Sequence, residues 1–177
     1  MHEKTLSSEY IYKGKILTVR KDQVTLSDGT RASREIIEHN PAVVVLPFKK
    51  PDTLYLIRQY RKAIDTLLTE ATAGVVDPGE DMLTAAKREL IEETGITANQ
   101  WTSLGEAFAA PGYCTEKLAF YLAEDLTFGD SRQEHDERIE LVPFTIPQVE
   151  ELIKTHQIID MKTLLIYFFF LRRQNHL

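Results

Sequence analysis

The chain has 177 residues, 43% of them hydrophobic, which suits one globular domain with a small appendage and is enough to bury a core. A formal charge of −6 and a pI near 5.4 argue against a protein that holds nucleic acid through a clustered Lys/Arg face. Cys114 is the only cysteine, which excludes an intrachain disulfide and a Cys-based zinc site, and we expect a reducing, cytoplasmic setting.

The first forty residues predict an antiparallel β-hairpin arm. Two segments rich in β-branched residues, 16–26 and 32–39, flank a turn that contains Asp28-Gly29. A two-stranded unit is marginal in water, so the arm needs a surface to pack against. We therefore expect an arm over residues 1–40 and a main domain over residues 41–177.

The main domain is predicted to alternate strands and helices. The clearest helix begins after Asp81, a suitable N-cap, and ends at Thr94 before Gly95. The remaining predicted elements are strands at 42–48, 53–60, 101–108, 117–124 and 139–144 and helices that begin near Pro147 and Met161. Strands with helices between and after them predict an α/β/α sandwich around a mixed sheet.

No segment predicts insertion into a membrane. The N-terminus lacks the apolar core of a signal peptide, and the longest apolar run, residues 164–171, is too short to span a bilayer. We expect that run to form a buried C-terminal helix or part of a subunit contact.

Three carboxylates crowd one flank of the predicted helix. At about 100° per residue, Glu89 and Glu93 lie roughly 40° apart with Glu92 beside them. Like charges at this spacing destabilise a helix unless solvent or a counterion neutralises them. A hard divalent cation such as Mg²⁺ is the natural counterion. Taken alone, the pattern is more typical of a solvated acidic face.

The segment from Gly74 to Ile96 resembles the Nudix box, G-x5-E-x7-R-E-U-x-E-E-x-G-U with U aliphatic, at every specified position. The resemblance implies a loop-helix-loop that holds metal ions against a pyrophosphate. It implies Glu89 and Glu93 as the principal ligands of Mg²⁺, with Mn²⁺ as the alternative. Glu92 and the carbonyl of Ala73 are further implied ligands. Glu80 and Arg88 are implied to bond the loop and the helix instead of the substrate.

Features outside the box resemble the ADP-ribose and GDP-mannose pyrophosphatase branch of the family. They are Arg58–Arg61, Glu70, Ala73-Gly74, the loop Ala110–Glu116 and Asp160–Thr163. Thr72 departs from that branch, which usually has Pro or another apolar residue there. The resemblance implies Mg²⁺-dependent hydrolysis of the pyrophosphate bond of a nucleoside diphosphate sugar, which yields a nucleoside monophosphate and a sugar phosphate.

Two glutamates are candidates for the general base. Glu116 corresponds by resemblance to the catalytic glutamate of GDP-mannose pyrophosphatases, and Glu137 to the loop glutamate of ADP-ribose pyrophosphatases. Glu134 and Glu140 are nearby alternatives to Glu137. The acidic run around these three residues is also typical of a solvated loop.

Three residues are candidate substrate contacts. Arg61 suits a substrate phosphate, Glu70 suits the base or ribose, and Tyr113 suits the mouth of the site. Ion pairing is the alternative for the first two and packing is the alternative for Tyr113.

The remaining expectations concern the oligomeric state and the alternative functions. In the resembling enzymes the arm crosses to a second subunit, so we expect a C2 homodimer, with no nucleic acid or membrane partner. The rival functions are a Nudix hydrolase of another nucleoside diphosphate derivative and a non-catalytic Nudix ligand sensor. The second usually lacks box carboxylates, and all of them are present in this chain.

Overall fold

The computed structural model describes residues 2–133, 135 and 138–174, which form ten strands and three helices. Two compact units divide the chain: Met1–Pro41 with Ala107–Lys117, and Ala42–Glu106 with Leu118–Leu177. The smaller unit thus contains both the arm and the segment Ala107–Lys117. Within the described residues, no helix has the length and apolar character needed to cross a bilayer.

The arm is a three-stranded antiparallel sheet of β1 (Lys4–Lys13), β2 (Leu17–Thr25) and β3 (Arg31–His39). The predicted hairpin corresponds to β2 and β3, and Gly29 takes a φ of 86° in the turn between them. The prediction was incomplete because β1 adds a third strand, paired with β2. Every residue of β1 is exposed, so its sequence lacks the alternation of a half-buried strand.

The larger unit contains a mixed sheet in the order β10-β5-β4-β9-β8, with β6 paired to β5 and β7 paired to β4. Its strands are β4 (Ala42–Lys49), β5 (Thr53–Arg61), β6 (Thr66–Glu70), β7 (Thr72–Val75), β8 (Ile96–Phe108), β9 (Lys117–Phe128) and β10 (Ile139–Thr145). The pair of β4 and β9 is parallel, whereas the pairs of β10 with β5, β4 with β5 and β4 with β7 are antiparallel. The sequence did not predict β6 and β7, which are five and four residues long.

Helices cover both faces of β4, as the predicted sandwich requires. On one face Val43 and Val45 belong to the core cluster that includes the apolar side chains of α1 (Met82–Thr94). On the opposite face Phe48 meets Phe170 of α3 (Met161–Arg173), with ring centroids 5.1 Å apart. Because successive side chains of a strand point to opposite faces, seven consecutive buried residues fit a strand covered on both sides.

Local capping sets the helix boundaries. The Asp81 side chain accepts hydrogen bonds from the backbone N–H groups of Leu83 and Thr84, and Gly95 ends α1 with a left-handed φ of 71°. A capping box formed by Thr145 and Gln148 begins helix α2 (Ile146–Lys154). The helix starts one residue before Pro147, near which the sequence predicted its start. The Asp81 cap fixes where α1 starts and therefore which carboxylates of α1 face β7.

Candidate active site

A short loop precedes α1 and is tied to it by an arginine. The Glu80 N–H donates to the Asp77 carbonyl, and the Asp77 N–H donates to Oε2 of Glu80, while Gly79 takes a φ of 85° between them. Arg88 then grips Glu80 with two bonds, from Nε to Oε1 at 3.1 Å and from Nη2 to Oε2 at 2.9 Å. This fork matches the role predicted for the pair, which fixes the loop to the helix.

The same guanidinium reaches two carboxylates of α1 and a strand carbonyl. Nη1 of Arg88 donates to Glu89 at 2.6 Å and to Glu92 at 3.0 Å, and Nη2 donates to the carbonyl of Val75 at 3.0 Å. The hydrogen bond from Arg88 holds the pKa of Glu80 below its ordinary value. Arg88 therefore supplies the positive charge that lets several acidic side chains share this corner.

Gly74 is a glycine because the Glu89 carboxylate occupies the space of a side chain. A Cβ built on Gly74 would lie 1.9 Å from Cδ of Glu89 and 2.2 Å from each of its oxygens. Strand β7 brings Gly74 to this position by pairing with Val43 of β4. The absence of a Cβ permits the carboxylate to lie against the backbone of β7, one residue from the carbonyl of Ala73.

The three carboxylates of α1 differ in burial. Glu93 is 5% exposed, and the side chains of Glu89 and Glu92 are 14% and 42% exposed. Within the described part of the chain, no group of three His, Cys, Asp or Glu side chains is arranged to hold a metal ion, which is consistent with Arg88 binding two of these carboxylates. The donor set nevertheless fits a hard divalent cation, because all its members are oxygens and Glu89 lies in a cradle that a Cβ would fill.

A buried ion cluster lies behind this corner. Glu70 is 0% exposed and accepts from Nε of Arg61 at 2.9 Å, from Nη2 of Arg61 at 2.8 Å, and from Nζ of Lys162. Burial raises the pKa of Glu70, but the bond from Arg61 and the charge of Lys162 outweigh it, and the net pKa is below the ordinary value. Asp160 pairs with Lys162 at 3.0 Å, which balances the charges of the cluster.

The Arg61 guanidinium binds Glu70 through Nε and Nη2, which leaves Nη1 for a ligand. Among the described residues only Nε and Nη2 of Arg61 form hydrogen bonds, so Nη1 retains its donors, and the side chain is 38% exposed. Its pKa is raised first by the hydrogen bond to Glu70 and also by the charges of Glu93 and Asp160. The guanidinium thus lies within electrostatic reach of the α1 carboxylates, while Glu70 has both oxygens occupied.

The first turn of α3 holds the strand that leads into the site. The Ala71 N–H donates to Oγ1 of Thr163 at 2.7 Å, and that hydroxyl donates to the Asp160 carboxylate. Sequence reasoning singled out Asp160–Thr163 by resemblance and gave it no role. The role was missed because these contacts join residues 92 positions apart, and only the composition of the motif was visible in the sequence.

Glu116 and Tyr113 belong to the smaller unit, where their loop is bonded to the end of β3. The Ile37 N–H donates to the Tyr113 carbonyl at 2.7 Å, and the Thr115 N–H donates to the Ile37 carbonyl at 2.9 Å. The Glu116 carboxylate lies 3.7 Å from Nδ1 of His39 and its side chain is 27% exposed. Tyr113 is 58% exposed. The base candidate Glu116 is thus held on a strand-anchored loop.

Of the other candidates for the general base, the structure describes only Glu140. Glu134 and Glu137 lie outside the described residues. Glu140 lies on β10, with its side chain 66% exposed and 3.7 Å from Nη1 of Arg58.

Two family models match consecutive parts of the chain. Residues 3–37 match the nucleoside diphosphate sugar hydrolase N-terminal domain, and residues 38–164 match the NUDIX domain. The boundary between the models lies within β3, near its end, so the first model covers most of the arm.

Two characterised proteins and one solved structure are similar over most of the chain. The ADP-ribose pyrophosphatase of Bacillus subtilis (strain 168) is 32% identical over 92% of this chain and 89% of its own. The GDP-mannose pyrophosphatase of Escherichia coli O1:K1 / APEC is 34% identical over 78% of this chain and 81% of its own. A crystal structure of an ADP compounds hydrolase superposes with a TM-score of 0.89 at 26% identity, over 100% of this chain and 98% of the other.

Proposed function

The chain belongs to the Nudix hydrolase family, with the N-terminal domain of nucleoside diphosphate sugar hydrolases, and from this membership we propose that it cleaves the pyrophosphate bond of nucleoside diphosphate sugars. It is a pyrophosphohydrolase, and its products are a nucleoside monophosphate and a sugar phosphate. The observation that carries the proposal is the Glu89 carboxylate seated against Gly74, beside the buried Glu93, inside a complete Nudix box.

Divalent cations supply the chemistry that the side chains cannot. Hydrolysis of a diphosphate is slow because the target is already anionic, so catalysis needs charge neutralisation and in-line positioning. We assign Glu89, Glu92, Glu93 and the Ala73 carbonyl as the groups that hold Mg²⁺, or Mn²⁺ in its place. A bound cation neutralises phosphate charge and lowers the pKa of a bound water. Arg61 adds Nη1 as a phosphate donor.

Glu70 has a different role in this proposal from the direct substrate contact expected from sequence. Both of its oxygens are engaged by Arg61 and Lys162 in a fully buried position. The carboxylate therefore orients the Arg61 guanidinium, which itself meets the substrate. Tyr113, exposed on the loop, remains a proposed contact at the mouth of the site.

The general base is one of two glutamates, and kinetics distinguishes them. We expect Glu116→Gln or Glu137→Gln to lower kcat by about 10² or more, the range that general bases supply, while the requirement for Mg²⁺ stays unchanged. Glu151→Gln, which changes an exposed carboxylate on α2, serves as the control. If Glu116→Gln and Glu137→Gln both retain nearly full kcat at saturating Mg²⁺, neither residue is the base.

A substrate panel tests the function itself. ADP-ribose, GDP-mannose and a dinucleoside polyphosphate are incubated with Mg²⁺, with Mn²⁺ or with chelator, and the monoester products are detected through alkaline phosphatase. We expect phosphate from the sugar derivatives only when a divalent cation is present. Glu93→Gln should abolish it, whereas Glu151→Gln, an exposed carboxylate on α2, should not. Absence of phosphate from every sugar derivative would refute the proposal.

We also propose that the enzyme is a C2 homodimer in which the arm contributes to the interface. Several large apolar side chains of the arm are about half exposed or more: Leu6, Tyr10, Ile11, Tyr12 and Ile16. A row of exposed apolar side chains on a small sheet is typical of a surface that another chain covers. Light scattering at micromolar concentration should give twice the monomer mass, and an active monomer would contradict the proposal.

A further inference from the structure

Thr72, the first residue of β7, carries a buried hydroxyl that the described residues leave unsatisfied. The residue is 0% exposed, and its Oγ1 has no hydrogen-bond partner in the described part of the chain. Buried polar groups without a partner are destabilising, and native structures usually keep one where a ligand, ion or water completes it. The position is also the one at which the sequence departs from the apolar residue usual in its branch.

The hydroxyl lies on the face of β7 that carries Gly74. Thr72 pairs with Val45 and Gly74 pairs with Val43, and cross-strand partners share a face of the sheet. Val43 and Val45 both belong to the core cluster that contains the apolar residues of α1. Gly74 itself faces Glu89 of that helix. Thr72, two residues from Gly74 along the strand, therefore faces α1 as well.

Two contacts fix the direction of α1 relative to β7. Gly74 lies against Glu89, and the Val75 carbonyl accepts from Arg88. The chain leaves β7 after Val75, and these contacts are made by residues in the middle of α1, so the helix returns along the strand. The two elements run antiparallel where they meet.

This direction brings Thr72 level with Glu93. Two residues of strand span about 6.6 Å, and the four residues of helix from Glu89 to Glu93 span about 6 Å. The distance from Gly74 back to Thr72 along the strand therefore equals, to within about 1 Å, the distance from Glu89 forward to Glu93 along the helix. Glu93 is also buried, at 5% exposed, as expected for a carboxylate level with Thr72 between the helix and the strand.

We propose that Thr72 is a positioning residue of the cation site, and that its hydroxyl donates a hydrogen bond to the Glu93 carboxylate when a divalent cation is bound. This inference rests on the proposed function, since it concerns the same site. Carboxylates that hold metals are themselves oriented by hydrogen bonds, and loss of such a bond weakens metal binding. A threonine suits the position because its hydroxyl donates without adding charge.

The test uses Thr72→Val, which removes the hydroxyl and keeps the shape, and Thr72→Ser, which keeps the hydroxyl. Thr69→Val is the control for losing a threonine hydroxyl on β6, the strand that precedes β7 in the chain. Binding is measured with Mn²⁺ as the probe, through the electron paramagnetic resonance signal of the free ion. Melting temperatures are recorded in chelator, and kcat/KM is measured with ADP-ribose.

We expect Thr72→Val to weaken Mn²⁺ binding about tenfold, the lower range for an outer hydrogen bond to a metal ligand. In chelator it should melt at or above the wild-type temperature, because a methyl group replaces an unsatisfied hydroxyl. Thr72→Ser should bind Mn²⁺ within about threefold of wild type, since the donor is retained. kcat/KM should follow the loss of binding at subsaturating cation.

Wild-type Mn²⁺ affinity in Thr72→Val would overturn the inference and leave the proposed function standing. A lower melting temperature for Thr72→Val in chelator would also overturn it, because the hydroxyl would then serve the cation-free fold. A wild-type protein that binds no Mn²⁺ would instead remove the cation site, and the proposed function with it.

Discussion

Replacement of Gly74 by alanine is expected to disable the cation site with little effect on the fold. The new Cβ would lie 1.9 Å from Cδ of Glu89, whereas ordinary contacts begin near 3.4 Å. The carboxylate must therefore retreat by about 1.5 Å from the backbone of β7. The atoms that must move form the end of a flexible side chain, so an altered rotamer at a cost of about 1 kcal/mol accommodates the methyl group.

The displaced carboxylate can no longer serve a small cation. Magnesium requires oxygen ligands at about 2.0–2.1 Å in near-ideal octahedral geometry, and a movement of more than 1 Å removes Glu89 from that set. Misplacement of this size is expected to lower kcat/KM by roughly 10². Initial rates with ADP-ribose across a range of MgCl₂ concentrations, together with melting temperatures in chelator, measure the two effects separately.

Gly129→Ala is the matched control, because its Cβ would meet only the Gly95 carbonyl at an ordinary 3.5 Å. That variant should keep the wild-type rate and Mg²⁺ dependence. If Gly74→Ala hydrolyses ADP-ribose with the wild-type Mg²⁺ dependence, the close approach of Glu89 to β7 has no part in holding the cation.

Three further predictions concern the charges of the loop and helix. Arg88→Lys should lower the free energy of unfolding by about 2 kcal/mol, since an ammonium cannot reproduce the fork on Glu80; urea denaturation measures the loss, with the exposed Lys87→Arg as control. The pKa of Glu80 lies below its ordinary 4.5, chiefly through the bond from Arg88, so its stabilisation is present above that pH and is lost as pH falls through the lowered pKa. Glu80→Gln should thus melt below wild type near pH 7, and the difference should shrink as the pH falls below 4.5; a constant difference would contradict the reasoning. Glu93→Gln should weaken Mn²⁺ binding about tenfold more than Glu92→Gln, because Glu93 is 5% exposed while the Glu92 side chain is 42% exposed; equal losses would refute the ranking.

The parts of the fold that follow local rules could be predicted from the sequence. The limits of α1 follow from an aspartate that caps its first turn and a glycine that ends its last, and β4 follows from an uninterrupted apolar run. Strand β1 could not be predicted because all of it is exposed. Strand β6 is short and becomes buried only at its end, so it shows no period.

In the candidate site, too, the local contacts could be predicted from the sequence and the long-range contacts could not. The fork from Arg88 to Glu80 spans eight residues and is encoded in the spacing of the box. One of the two partners of Glu70 is Lys162, which is 92 positions away, and no local pattern connects these two residues. The sequence predicted Glu70 as a substrate contact. Its complete burial results from the packing of β6 and α3, and its neighbours in the chain do not reveal that burial.

The bonds of Arg88 determine what a cation encounters at the site. The guanidinium donates hydrogen bonds to Glu89 and Glu92 and offsets part of their negative charge, which reduces the repulsion between these acids on the helix. An incoming cation must compete with a partner built into the chain, and its measured affinity is the difference between the two attractions. On the proposed assignment of the cation site, we expect chelation to return the acids to the arginine, so that the protein loses its cation and regains it without unfolding.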